Sequence, residues 1–350
     1  MIKGKGIYAW VLERCEDGDM AAVVSRLKQA GMTHVIPKFA DGVWSYARNE
    51  AYLKNLITFA HREGIQVIPF HFVFGQQPTH EAQRAITELR KYPFDGLVIN
   101  AEGAYKQVAN PSQAARLYCD ALRSKFPDLP LALSTYRFPT LHREFPFATF
   151  LNYCDYNMPQ IYWMQSNGTV PAQVERTLKE YKAFPNKPMI PTGAAFSEHG
   201  WTAIPNDQRI FIEQVKKHNL PGCNWWEYWH AFNRFPELGE MIANTPFEVG
   251  ELPPISPEPE PPAGTFWAVC TATYGLTVRA EPKIANNIVG YLSNGDKRLV
   301  YEQSGIWWRI GDNAWVSSNF MQRTTDTVAP EPPTLTLEER VTRIEQHLGL

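Results

Sequence analysis

The chain has 350 residues, an apolar share of 44% and a formal net charge of −2. That composition belongs to a soluble globular protein with room for two or three domains. It excludes a nucleic-acid binder that relies on a broad basic face, and it offers no basic tail to an anionic membrane.

The chain opens on Met1-Ile2-Lys3-Gly4-Lys5-Gly6, which runs straight into a short apolar stretch, too short and interrupted for a signal peptide. No run of about 18 apolar residues predicts a membrane span. Synthesis in a cytosol is expected, with the final site of action left to lysis or a dedicated secretion machine. Cys15, Cys119, Cys154, Cys223 and Cys270 are odd in number and widely spaced, so they read as reduced thiols.

From residue 6 to residue 245, strand-like runs alternate with amphipathic stretches. Strands are predicted at Gly6–Val11, His34–Lys38, Gln66–Phe72, Gly96–Ala101, Leu131–Thr135, Tyr156–Tyr162, Met189–Gly193 and Cys223–Tyr228. The first predicted helix begins at Met20, behind the acidic Glu16-Asp17-Gly18-Asp19; another starts at Pro111-Ser112, where proline suits a first turn. Eight βα units in about 240 residues predict a (β/α)₈ barrel over residues 1–247. A doubly wound open sheet is the alternative.

In a barrel the site lies at the C-terminal strand ends. Those ends gather Trp10 and Glu13, Lys38 and Asp41, His71, Asn100 and Glu102, Tyr136 and Arg137, Gln160 and Tyr162, Thr192, and Trp226 with Glu227. Glu102 is a candidate acid–base residue, because an apolar barrel wall beside it can raise a carboxyl pKa. Aromatic residues make up 13% of the chain. Their rings suit both the apolar face of a pyranose and core packing.

Asp95-Gly96-Leu97-Val98-Ile99-Asn100-Ala101-Glu102 resembles the fourth-strand signature of family 18 glycoside hydrolases, the chitinase family, which runs Asp-Gly-x-Asp-x-Asp-x-Glu. Asp95, Gly96 and Glu102 match; Val98 and Asn100 stand where that family has aspartates. Asn157–Trp163 resembles the sixth-strand Met-x-Tyr region, and Cys223–Glu227 the eighth strand with its floor tryptophan. The Pro-Gln-x-Tyr-Trp ending is also similar to lysozyme-like family 25 barrels, whose central motif is Asp-x-Glu.

The resemblance implies that Glu102 is the acid and that Asn100 stands where an aspartate orients the substrate's N-acetyl group. An asparagine can hydrogen-bond that amide but cannot stabilise a cation by charge. An ordinary two-carboxylate mechanism needs a partner for Glu102, with Asp155, Glu227 and Asp41 as candidates. Lys38 could meet a carboxylated sugar or pair with Asp41. His71 could bind a sugar hydroxyl or cap the barrel rim. Gln160, Tyr136, Tyr162, Trp163 and Trp226 are the remaining candidates for substrate contact. No phosphate loop, zinc motif or nucleophile elbow occurs, so no cofactor or metal is expected.

Beyond the barrel, residues 248–265 form a proline-rich spacer. Residues 266–323 then carry short alternating strands. Leu276-Thr277-Val278-Arg279-Ala280-Glu281-Pro282 resembles the opening of bacterial SH3 domains. Ile288–Leu292, Gly295-Asp296, Trp307–Ile310 and Ala314–Ser317 continue that pattern in order. The resemblance implies a small all-β barrel that binds peptidoglycan, with Tyr274, Trp307 and Trp308 as exposed aromatics and Trp315 in the core. A spacer or oligomer contact is the alternative role. After a second spacer at 324–334, residues 335–350 place Leu337, Val341, Ile344 and Leu348 on an a/d stripe, which predicts a short helix and a weak homo-oligomer.

The function expected from these features is a glycoside hydrolase acting on N-acetylated glycan, most of all peptidoglycan, at the bacterial cell wall or on a secreted or virion particle, as endolysins and autolysins do. The alternative is a non-catalytic glycan-binding or assembly protein of a phage tail or injection device, built on a degenerate barrel.

Overall fold

The alternation read from residues 6–245 is realised as eight parallel strands, each followed by a helix. The computed structural model describes residues 1–166, 168–247, 264–272, 276–285, 287–292 and 296–324. Two compact units divide the chain, Met1–Leu252 and Pro253–Leu350. Tyr274, most of the first spacer and the helix expected at 335–350 lie outside the described residues.

In the first unit the strands are β1 (Gly4–Ala9), β2 (Met32–Asp41), β3 (Phe70–Val73, preceded by a short segment at Gln66–Val67), β4 (Leu97–Ala101), β5 (Leu131–Tyr136), β6 (Tyr156–Ile161), β7 (Thr192–Ala194) and β8 (Gly222–Trp226). The helices are α1 (Met20–Gln29), α2 (Ala47–Arg62), α3 (Pro78–Leu89), α4 (Pro111–Lys125), α5 (Phe147–Tyr153), α6 (Val170–Tyr181), α7 (Pro205–Lys217) and α8 (Pro236–Asn244). β1 pairs in parallel with both β2 and β8, which closes the sheet into a barrel rather than a doubly wound layer.

Local chemistry explains the boundaries. The Asp19 side chain accepts from Ala21 N (2.9 Å) and Ala22 N (3.1 Å), so it caps α1. Pro111 starts α4 behind the Asn110 cap. β8 ends at Trp226, two residues earlier than expected, because the chain then turns into a π-helical segment, Trp229–Arg234.

Two apolar cores follow from the strand pleat. Tyr8, Ile36, Ile68, Phe70, Val98, Ala132, Tyr156, Met158 and Ile190 fill the barrel interior. The alternate residues, among them Ile7, Val35, Val67, Leu97, Ile99 and Leu133, face the helices. Lower in the interior, Gly6 lies between Asn224 and His34 in the register of three adjacent strands. The His34 ring crosses Gly6 to place Nε2 2.7 Å from Asn224 Oδ1, and a Cβ on Gly6 would overlap that ring. Only glycine fits the crossing.

The described strands of the second unit all pair antiparallel: β9 (Phe266–Cys270), β10 (Leu276–Arg279), β11 (Ile288–Leu292), β12 (Lys297–Val300), β13 (Glu302–Ser304), β14 (Trp307–Gly311), β15 (Ala314–Ser317) and β16 (Met321–Arg323). One sheet runs β12-β9-β16 and the other β11-β10-β15-β14-β13. Their core is Ala268, Cys270, Leu276, Val278, Leu292, Val300, Val316 and Met321.

Pairing within this unit reverses two expectations. Trp308 stands opposite Val316 and packs on the core, with its ring 5.0 Å from Phe266. Trp315 pairs with Arg309, on the same face as Trp307 and away from Val316. Trp307 and Trp315, not Trp307 and Trp308, therefore share the outer face.

Candidate active site at the barrel mouth

Glu102 follows the last residue of β4, where the chain turns into a short 3-10 segment, Gly103–Gln107. Its side chain is half-buried and points the same way as Asn100 and Val98, since strand side chains alternate. Asn100 Nδ2 donates to Glu102 Oε1 at 3.1 Å. Gln160 Nε2, from β6, donates to the same oxygen at 2.8 Å and to Asn100 Oδ1 at 2.9 Å. Ser134 Oγ on β5 lies 3.3 Å from that nitrogen. Two amide donors thus meet on Oε1, whereas Oε2 receives no hydrogen bond from the described residues.

Three tyrosines feel the charge of this carboxylate. Tyr8 on β1 is fully buried beside Ser134 and Thr192; burial is the main cause that pushes its hydroxyl up to about 12, and the Glu102 charge adds to it. Tyr136 at the end of β5 is also pushed up to about 12 by burial, then by Glu102 and Glu144. Burial raises Tyr162 well above the ordinary tyrosine value, with Tyr8 and Glu102 contributing. All three keep their protons at neutral pH; the Tyr8 hydroxyl is closed off from solvent, whereas Tyr136 is only part-buried.

The floor is aromatic. The Trp226 ring lies 5.5 Å from Tyr8 and 5.9 Å from Phe70, and 6.1 Å from Trp10 at a shallow angle of 31°. Trp10 is 40% exposed, so one indole forms the floor and the next leads out of it. Tyr136 stacks on His142 with ring centroids 3.6 Å apart, and Lys106 Nζ sits 5.4 Å from the Tyr136 ring while pairing with Glu144 at 2.8 Å.

Several residues expected at this site are placed elsewhere. Asp155 precedes β6, at the N-terminal end of the barrel opposite the mouth; it accepts from Leu131 N (2.8 Å) and pairs with Arg123 (2.8 Å). Glu227 is buried and turned into its own loop, accepting from Trp229 N (3.2 Å), His230 N (3.2 Å) and His230 Nδ1 (2.8 Å). Neither carboxylate opposes Glu102. Asp41 is bound to Lys38 Nζ at 2.8 Å, and the buried Lys38 ammonium lies 4.7 Å from the Tyr46 ring.

His71 faces the helices rather than the mouth. The Gly42 carbonyl can only accept, so Nε2 donates to it at 2.7 Å and Nδ1 accepts from Tyr118 at 2.8 Å. Burial pushes this histidine down to about 4. Trp163 is buried against Phe211 of α7, with centroids 5.4 Å apart.

The mouth residues that the sequence reading did not single out are Tyr8 and Ser134. Each lies two residues before a strand-end aromatic, Trp10 or Tyr136, and period-two alternation puts it on the same inward face.

A closed eight-stranded barrel with a carboxylate, two amides and an aromatic floor at its mouth is the architecture of the first unit. Residues 275–322 match the family model described as bacterial SH3 domain. Similar solved structures cover the barrel. A glycoside hydrolase family 18 N-acetylglucosaminidase from Paenibacillus barengoltzii is 12% identical over 69% of this chain and 99% of its own, with a TM-score of 0.53. A chitinase from Bacteroides thetaiotaomicron is 11% identical over 69% and 96%, with a TM-score of 0.54. A family GH18 chitinase from Cycas revoluta is 11% identical over 69% and 99%, with a TM-score of 0.52. At such identities the likeness establishes the fold. No curated protein matches the sequence.

Proposed function

We propose that the barrel binds an N-acetylated glycan across Trp226 and cleaves it with Glu102 as general acid, and that the SH3 unit holds the protein on the bacterial cell wall. The observation that carries this reading is the convergence of Asn100 and Gln160 on Glu102 Oε1 beside the aromatic floor. Because Oε1 is occupied by donors, a proton on this carboxyl resides on Oε2, the oxygen left for a leaving group. Proton transfer from Oε2 to the glycosidic oxygen accompanies breakage of the bond to the anomeric carbon.

With Asp155 and Glu227 turned away, the acetamido oxygen of the substrate is the nucleophile most consistent with this mouth. It forms a cyclic intermediate that water then opens, with Glu102 taking the proton back. Tyr136, part-buried at the end of β5, supplies a hydroxyl donor. Among N-acetylated polymers peptidoglycan is favoured because the second unit has the fold of a bacterial SH3 domain.

The neutral Asn100 favours a second reading, in which the mouth binds glycan without cleaving it. Release of reducing ends from purified peptidoglycan and from chitin oligomers separates the two. Cleavage of either polymer supports hydrolysis, and binding without release supports the second reading.

A further inference from the structure

β1 and β8 are paired neighbours, so the loops that leave their C-terminal ends meet at one sector of the rim. There two arginines share one indole: the guanidinium carbons of Arg14 and Arg234 lie 5.4 Å and 5.6 Å from the centroid of Trp229. Arg234 also lies 5.2 Å from the Phe235 ring. Neither arginine has an ion-pair partner among the described residues.

The carboxylates of the same loops are otherwise engaged. Glu13 pairs with Arg48 (3.2 Å), Glu16 pairs with Arg26 (3.3 Å) and accepts from Tyr228 (3.0 Å), and Asp19 caps α1. Asp17 is exposed and bonds neither Arg14 nor Arg234. Glu227, which does not face Glu102, fixes His230 through Nδ1; His230 Nε2 then meets Arg234 Nη1 at 3.4 Å. Arg234 is thus positioned by an imidazole and aromatic rings, with no carboxylate bonded to it directly.

Both guanidinium groups are exposed and neither is bonded to a carboxylate, so an anion at this sector can accept charge-assisted hydrogen bonds from them. The position ties this sector to the mouth. Arg14 also acts electrostatically on Tyr46, which neighbours Trp10, and Trp10 leads to Trp226. Lys38, the cation expected to meet a carboxylated sugar, is already neutralised by Asp41.

We propose that Arg14 and Arg234, presented on Trp229, form a rim subsite for a carboxylate carried by the glycan. The proposal rests on the reading of the mouth as a glycan site and names the substrate class: a chain with carboxylates on its sugars or on attached peptides, in preference to neutral chitin.

The test is calorimetric binding by the full chain carrying Glu102→Gln together with Trp307→Ala, the latter to weaken wall binding by the SH3 unit, at low ionic strength. Three oligosaccharides of equal length are compared: a neutral N-acetylglucosamine oligomer, a peptidoglycan oligomer stripped of peptide, and one keeping its stem peptides. Tenfold or greater preference for a carboxylated oligomer is expected, and the arm that shows it identifies the carboxylate as sugar-borne or peptide-borne. Adding Arg14→Gln and Arg234→Gln should bring that preference to within about twofold, with neutral-oligomer affinity unchanged, which also shows that the variant folds. Adding Arg14→Gln alone should give a partial loss. Equal affinity for all three oligomers, or a preference that survives both substitutions, overturns the subsite and leaves the glycan reading standing. Binding to none of them overturns both.

Discussion

Gln160 Nε2 lies 2.8 Å from Glu102 Oε1 and 2.9 Å from Asn100 Oδ1, so one amide from β6 fixes Asn100 of β4 and the Glu102 that follows it. The arrangement sets the rotamer of Glu102 and directs Oε2 away from the cluster.

Gln160→Leu removes that donor while keeping the bulk. A hydrogen bond to a charged group is worth about 1.5–3 kcal/mol, which corresponds to roughly a ten- to hundredfold fall in kcat. KM should change far less, because the substitution leaves Trp226 and Trp10, the proposed sugar platforms, in place. Steady-state kinetics with a melting curve separates loss of positioning from loss of fold.

Asn100→Asp places a second carboxyl about where Nδ2 now donates to Glu102, 3.1 Å from Oε1. Two carboxyls so close share a proton, so the pH–rate profile should gain an ionisation and its acidic limb should move. An unchanged profile would mean that position 100 does not face Glu102 in solution.

His34 and His71 are both fully buried and pushed down to about 4, mainly by burial, against an ordinary 6.5. Between those values the unfolded chain binds more protons than the folded one. Stability is therefore whole above pH 6.5 and falls as the pH drops toward 4, by about 1.4 kcal/mol per pH unit for each histidine. Denaturant unfolding at pH 7 and pH 5 measures the slope. Replacement of His71 by glutamine, which does not titrate, should lower stability at pH 7 and flatten the slope.

In the SH3 unit, Trp308 and Trp307 should behave differently. Trp308→Ala removes a ring that packs on the core beside Phe266 and should cost roughly 3 kcal/mol of stability. Trp307→Ala, on the outer face with Trp315, should leave folding intact and weaken co-sedimentation with cell walls. Equal melting temperatures for the two variants would contradict the assignment of faces.

The barrel was legible because its strands are short apolar runs at regular spacing, and the eighth closes on the first. That Glu102 stands at the barrel mouth was legible because it directly follows a strand whose residues, Asn100 apart, are apolar. Glu227 also ends a strand, yet the chain turns immediately after it and the side chain caps that turn; whether a residue beyond a strand faces the mouth or its own loop depends on backbone geometry that composition does not encode. His71 was misplaced for a simpler reason. Phe70 is the inward residue of that strand, so alternation sends His71 to the helices, where Tyr118 and Gly42 hold it. Applied from Phe70, the same rule would have corrected it. The rim arginines come from two loops far apart in sequence, and only the pairing of β1 with β8 brings them to one ring.

The most direct test of the central claim is the rate of reducing-end release from peptidoglycan by the wild-type chain and by Glu102→Gln. The substitution keeps size and hydrogen-bonding capacity and removes the transferable proton. A fall of a hundredfold or more, with unchanged melting and retained wall binding, is the predicted result. Activity within a few-fold of wild type would contradict the assignment of Glu102 as the acid.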